Sequence, residues 1–174
     1  YPQIYDKMTH PGKILSQWAA NEHYFYPREK DITASFIGQC YGDRQKLLAG
    51  VPVECYGFGW PTGFVDFKQM ADILGRSKIS ISFAGGADGN KQLKLRTFEI
   101  CASDTLCLCE NVEGIENYYI RGEEIILFST KEEMVGLLKY FLEHEDERKK
   151  IARAGYERTM KDHLWKHRFE KIFI

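Results

Sequence analysis

No apolar run in the 174 residues approaches the roughly 18 that a membrane-crossing helix needs, and the first dozen residues lack the basic-then-apolar order of a secretion signal. The expectation is a cytoplasmic protein with no membrane span. An excess of one charge sign is missing as well. Lys plus Arg number 24 against 25 Asp plus Glu, for a net charge of -1, so no overall field draws nucleic acid or an anionic bilayer. Any anion site has to be local. Cysteine is sparse, odd in number and never spaced as C-x-x-C: Cys40, Cys55, Cys101, Cys107 and Cys109 argue against a disulfide framework and a zinc knuckle, and read as small reduced hydrophobes.

Several chemical signatures are also absent. There is no G-x-x-x-x-G-K-[ST] loop, no G-x-S-x-G elbow, no H-E-x-x-H and no G-x-G-x-x-G following a strand. The stretch GFGWPTG (57–63) is spaced G-x-G-x-x-x-G, and Pro61 does not let a helix open on its glycines. His163 and His167 stand four apart, a chelating spacing on a helix, but no third ligand accompanies them, so no metal and no cofactor are expected.

What is there is an ordinary globular composition, 44% hydrophobic and 28% charged, sufficient for one core. The chain begins at Tyr1 rather than Met and ends at Ile174 after a helical pattern, which suggests trimming or a piece of a longer protein. DITASFIG (31–38) reads as a strand and DRQKLLAG (43–50) as a helix stopped by glycine. VPVECYG (51–57) is the next strand, FVDFKQMADILGRS (64–77) a helix and KISISF (78–83) a third strand. A helix over about 91–102 follows, then TLCLC (105–109), a short turn or helix at GIENYY, the strand EIILF (124–128) and a helix from Lys131 to about Leu142. Strands alternating with helices of this length imply parallel crossovers with helices on both faces, a Rossmann-like, doubly wound α/β fold. The expected organisation is a connector over 1–30, the Rossmann-like domain over 31–145 and helices over 146–174 packing on it.

In such sheets ligands sit beyond the carboxyl ends of the strands. Three glycine-rich loops fall there, GQCYGDR (38–44), GFGWPTG (57–63) and AGGADGNKQLK (84–94). Glycine permits close backbone approach, helix amino termini attract phosphate, and Arg44, Lys91, Lys94 and Arg96 supply cations, together a diphosphate cradle. The alternative is plain turns with solvated side chains. Glu99 falls at the margin of the stripe Leu95, Phe98, Ala102. It either accepts from two sugar hydroxyls or forms an i, i+3 pair with Arg96. Gly57, Phe58 and Trp60 sit in an aromatic loop that either contacts a nucleobase or packs as a lid.

The order SFIGQCYGDRQKLLAG, VECYGFGW, ADILGRSKISISF, LKLRTFEICASDTLCLCEN and GEEIILFSTKEEMVGLLKYFLEHEDERKKIARAGYERTMKDH resembles the carboxyl-terminal domain of GT-B glycosyltransferases, in particular the group-1-like domains of spore-maturation-type glycosyltransferases, over about residues 14–172. The resemblance implies one lobe of a GT-B fold that binds a nucleotide-diphosphate sugar donor and transfers the sugar, without a metal, to an acceptor held between two lobes. Position by position, Glu99 matches the acidic residue that binds the ribose hydroxyls, with Thr97 in the same R-T-F-E stretch. Arg96 and Lys94 fall where cations face the diphosphate, and Gly38 and Arg44 in the loop that approaches it. Two positions depart from the pattern: Lys91 stands where many members that retain stereochemistry carry a second acid, and ASDT replaces a turn in which glycine is common. The resemblance also implies a second, amino-terminal lobe upstream that supplies the acceptor site and catalytic base. No catalytic residue is named from these positions, the acceptor (glycan, protein or lipid) stays open, and the isolated chain is expected to turn over poorly. The competing expectation is a non-catalytic domain that kept the fold and lost the donor site.

Overall fold

The structure, a computed structural model, describes residue 7, residues 9–86 and residues 90–173. Tyr1, Ile174 and the centre of the third glycine-rich loop, 87–89, lie outside the described residues. Five strands form one parallel sheet: β1 (Ile32–Ile37), β2 (Glu54–Tyr56), β3 (Ser77–Ser82), β4 (Leu106–Glu110) and β5 (Ile126–Phe128), in the order β2-β1-β3-β4-β5. The helices are α1 (Arg44–Leu48), α2 (Phe67–Arg76), α3 (Leu95–Ala102), α4 (Lys131–Glu143), α5 (Glu145–Asp162) and α6 (Trp165–Ile172), with a 3-10 turn at Ile115–Asn117. Because β2 lies on one side of β1 and β3 on the other, the winding direction reverses between β1 and β3, which opens a crevice at their carboxyl ends.

The alternation in SKISIS explains how β3 can be buried on both faces. Ile79 and Ile81 point into a core with Phe36, Leu106, Leu108, Met134 and Leu138, while Ser80 and Ser82 point to the opposite face, beneath α2 and α3, and Ser77, where α2 passes into the strand, donates its hydroxyl to the Ile73 carbonyl at 2.6 Å. There the hydroxyls satisfy one another: Ser35 Oγ lies 3.0 Å from Ser80 Oγ and 2.8 Å from Ser77 Oγ, and Ser82 Oγ lies 3.0 Å from Thr97 Oγ1. The second core continues from this face through Cys107, Cys109, Leu74, Phe98 and Ile100.

Helix α2 starts at Phe67, three residues later than the periodicity predicts. Asp66 accepts from the Gln69 amide at 2.8 Å and Gln69 Oε1 accepts from the Asp66 amide at 2.8 Å, a reciprocal cap that fixes the first turn there. The cap contributes about 1 kcal/mol, whereas each fully buried Leu or Ile contributes ~1.5–3 kcal/mol. Packing of Met70, Ala71, Ile73 and Leu74 therefore decides the helix, and the cap sets its register.

Helix α3 likewise begins at Leu95, not near 91. Lys91 forms an antiparallel bridge to Gly85 and the Gln92 amide donates to the Ala84 carbonyl at 3.1 Å, which holds the preceding residues extended. β2 has three residues rather than seven, as Pro52 has no amide to donate. The carboxyl-terminal tail forms two helices, separated where Leu164 bridges Ala20. Residues 13–18 form no strand, although Ala19, Ala20 and Phe25 are buried. Phe169 of α6 is 50% exposed.

Candidate functional site

The crevice at the β1/β3 carboxyl ends has a volume of about 340 Å³ and is bordered by Gly38, Tyr41, Arg44, Phe83, Lys94 and Arg96, among others. Its floor depends on two glycines. Gly57 has φ +123°, and a Cβ there would come within 2.6 Å of the Gly38 carbonyl oxygen, so the second loop reaches the first only without a side chain. The Gly38 amide donates to the Tyr56 carbonyl at 2.9 Å and its carbonyl accepts from the Trp60 indole at 2.8 Å.

Arg44 opens α1 and turns back over the crevice. Its guanidinium stacks 4.0 Å from the Tyr41 ring centroid, donates to the Gln39 carbonyl at 3.0 Å and donates to the Gly85 carbonyl at 3.1 Å. Tyr41 Oη donates to the same Gly85 oxygen at 3.1 Å. The first and third loops are thereby tied together by an arginine half-buried among aromatic rings; that burial lowers its pKa, with Tyr41 and Glu110 opposing.

On α3, Arg96 and Glu99 form a pair at 2.5 Å, with Glu99 only 3% exposed. Burial raises the Glu99 pKa and lowers that of Arg96, and each partner opposes the other's shift. Arg96 also touches Met70 Sδ of α2. Its Nε is buried with no hydrogen-bond partner among the described residues. The i, i+3 pair therefore forms, and it forms in the interior rather than on the surface. Thr97 lies fully buried under the crevice against Ser82 and Cys109 Sγ, at 3.0 and 3.7 Å.

Residues 41–173 match the family model described as glycosyl transferase-like. The chain belongs to the glycosyl transferase-like family. No curated protein matches it. Among solved structures, sucrose-phosphate synthase from Thermosynechococcus elongatus is similar at a TM-score of 0.70 and 13% identity, covering 89% of this chain and 49% of that one. The carboxyl-terminal domain of the glycosyl transferase group 1 family protein LpcC from Francisella tularensis is similar at 0.62 and 12%, covering 84% of this chain and 99% of that domain. TarM is similar at 0.67 and 12%, covering 88% and 36%. The chain thus has the fold of a GT-B carboxyl-terminal lobe and spans about half the length of the sucrose-phosphate synthase.

In this glycosyl transferase-like domain Gly38, Arg44, Lys94 and Arg96 come together on the crevice. Gly57, Phe58 and Trp60 do not border it: Trp60 packs edge-on against Phe36 with centroids 5.9 Å apart, and Phe58 is 73% exposed. His163 and His167 do not converge. His163 Nε2 lies 2.8 Å from the Tyr118 carbonyl, and His167 Nδ1 accepts from the Leu164 amide at 3.1 Å. Among the described residues no three His, Cys, Asp or Glu side chains gather as a metal set. No helix of the described residues is long and apolar enough to cross a membrane.

Sequence reasoning missed Glu110. Its Oε2 accepts from the amides of Ala84 and Gly85 at 2.9 and 3.2 Å, and its Oε1 pairs with Lys91 at 2.8 Å. Burial pushes its pKa up, but Lys91 and the two amides outweigh burial and hold it below the ordinary carboxylate value. The departure at Lys91 thus has a structural partner. The available signal was its place at the carboxyl end of β4.

Proposed function

We propose that this chain is the donor-binding lobe of a glycosyltransferase, and that the crevice takes a nucleotide-diphosphate sugar. The observation that carries the reading is the convergence of Arg44, Lys94 and Arg96 with the glycine-lined end of β1 at the point where the sheet winding reverses. The diphosphate lies along the Gly38 loop, with Arg44 and Lys94 as its counter-charges. Arg96 is drawn from Glu99 toward the same anion, which satisfies its unpartnered Nε and uncovers the Glu99 carboxylate for the two ribose hydroxyls. Thr97 supports α3 at this place through Ser82.

Catalysis here is electrophilic and needs no metal from this lobe. As the glycosidic bond breaks, negative charge develops on the departing diphosphate, and preorganised cations stabilise it more than they stabilise the intact donor. The acceptor and the group that removes its proton come from an amino-terminal lobe, as the coverage of about half of a similar chain suggests. The base stacks outside the loop at Gly57, Phe58 and Trp60 only if Phe58 swings inward.

The test is titration of the chain with UDP, GDP and ADP by calorimetry. Saturable binding of one of them, weakened in Arg44→Ala and Glu99→Ala, is expected. A second reading, an interaction domain that has lost donor binding, draws on the sealed state of Glu99. Absence of binding by all three nucleotides favours it.

A further inference from the structure

At the opposite edge of the sheet, where strands begin, a cavity of about 730 Å³ lies between the entries to β1, β3 and β4 and the first turns of α5. It is bordered by seven basic side chains, Arg28, Lys30, Lys78, Arg148, Lys149, Lys150 and Arg153 among its eleven residues, and by three acidic ones. A chain with a net charge of -1 therefore gathers seven basic against three acidic side chains around one recess, and one of the seven, Arg28, is paired with Asp72 at 2.8 Å. We propose that this cavity is a second binding site, for a ligand carrying two or more phosphate groups. It shares no bordering residue with the crevice at the other end of the sheet, so the proposal stands apart from the donor-binding reading.

The carboxylates in the cavity neutralise part of its charge and leave an excess. Asp104 is taken by Arg153 at 2.7 Å, and Glu145 by Lys149 at 2.6 Å, with Arg148 at 3.7 Å. Lys78 and Lys150 form no ion pair among the described residues. Asp146 is the one acid of the three without an ion pair among the described residues, and it stands at the mouth, exposed. The cations are also held rigidly. Lys30 is fixed by donating to the carbonyls of Gly75 and Ser103 at 2.7 and 2.9 Å and to Thr105 Oγ1 at 2.7 Å. Arg148 is 4% exposed and donates to the Phe141 carbonyl at 3.1 Å. Arg28 Nε is buried without a partner among the described residues.

Self-repulsion among fixed cations is unfavourable until a counter-anion arrives, and at Lys30 it adds to the effect of burial. Burial first, then Arg148 and Arg153, lower the pKa of Lys30 to about 8 against the pull of Asp104. The amino terminus of α5, which no side chain caps, adds its positive dipole end to the same recess. Lys30, Lys78 and Lys150, the cavity's cations without an ion pair among the described residues, carry more charge than one phosphate group of about -2 neutralises, so a ligand with two or more phosphates answers the excess. Such a group is found on soluble polyphosphates and on phosphorylated lipid headgroups alike.

The experiment titrates the 174-residue chain with inorganic tripolyphosphate at low and moderate salt, and sediments it with phosphatidylcholine vesicles doped with phosphatidylinositol bisphosphate. Saturable tripolyphosphate binding is expected, falling with salt and weakened about tenfold in the Lys78→Ala, Lys150→Ala double variant, as removal of two phosphate-facing cations requires. Arg44→Ala, which alters only the crevice, leaves it in place, and UDP binding survives in the double lysine variant. Vesicle binding with the same lysine dependence supports the site and assigns a membrane source. Tripolyphosphate binding alone supports it with a soluble source. No binding of either probe, or binding insensitive to the two lysines or lost in Arg44→Ala, overturns the proposal.

Discussion

The Glu99 carboxylate and the Arg96 guanidinium meet at 2.5 Å one helical turn apart, and the glutamate is almost wholly covered. A pair at this spacing on a helix surface contributes only ~0.2–0.5 kcal/mol. In the interior the arithmetic changes, since removing one partner leaves the other charge buried and alone.

Glu99→Ala is accordingly expected to lower unfolding stability by about 3 kcal/mol, and the double variant Arg96→Met, Glu99→Leu to recover most of that loss. Urea unfolding of the three proteins measures it. A cost for Glu99→Ala below about 0.5 kcal/mol would place the pair with ordinary surface bridges.

The Lys30 ammonium gives a pH dependence of defined sign. Its folded pKa of about 8 lies below the ordinary 10.5, so between those values the unfolded chain holds a proton that the folded chain has released. Stability from this group therefore rises as pH climbs from about 8 to 10.5 and is level below that window. Lys30→Met is expected to remove the rise. Unfolding curves of both proteins across the window compare the slopes, and equal slopes would refute the shift.

Gly57 and Gly42 both have positive φ, +123° and +58°, but only Gly57 faces backbone where a Cβ would go. Gly42→Ala should cost about 1 kcal/mol and leave nucleotide binding intact. Gly57→Ala carries both backbone strain and a collision with the Gly38 carbonyl, so a larger loss, of about 2–3 kcal/mol, is expected together with weaker nucleotide binding. Denaturation and calorimetry on the pair separate the two effects.

The alternation of strands and helices was legible in the sequence because it is carried by local signals, the period-two SKISIS run and the glycine that stops α1, whereas the Asp66–Gln69 cap that sets the start of α2 went unread. What else was not legible depends on contacts far apart in the chain. The late start of α3 is set by Lys91 and Gln92 pairing back to Gly85 and Ala84. Trp60 is aimed inward by a carbonyl 22 residues earlier, which no property of the aromatic loop reveals. Glu110 meets the Gly85 amide across 25 residues. The basic recess draws its members from residues 28 to 153, which the near-neutral net charge conceals. Within the site, Arg44, Lys94 and Gly38 were readable because the ends of parallel strands must meet at one edge. That Glu99 would lie beneath Arg96 was not, since Met70 of α2 sets the position of the guanidinium.

Calorimetric titration of UDP, GDP and ADP into the chain and into Arg44→Ala tests the central claim most directly. The account predicts saturable binding of at least one nucleoside diphosphate and a loss of about tenfold or more when the arginine that joins the first and third loops is removed. No saturable binding by any of the three, or equal affinity in the variant, would contradict it.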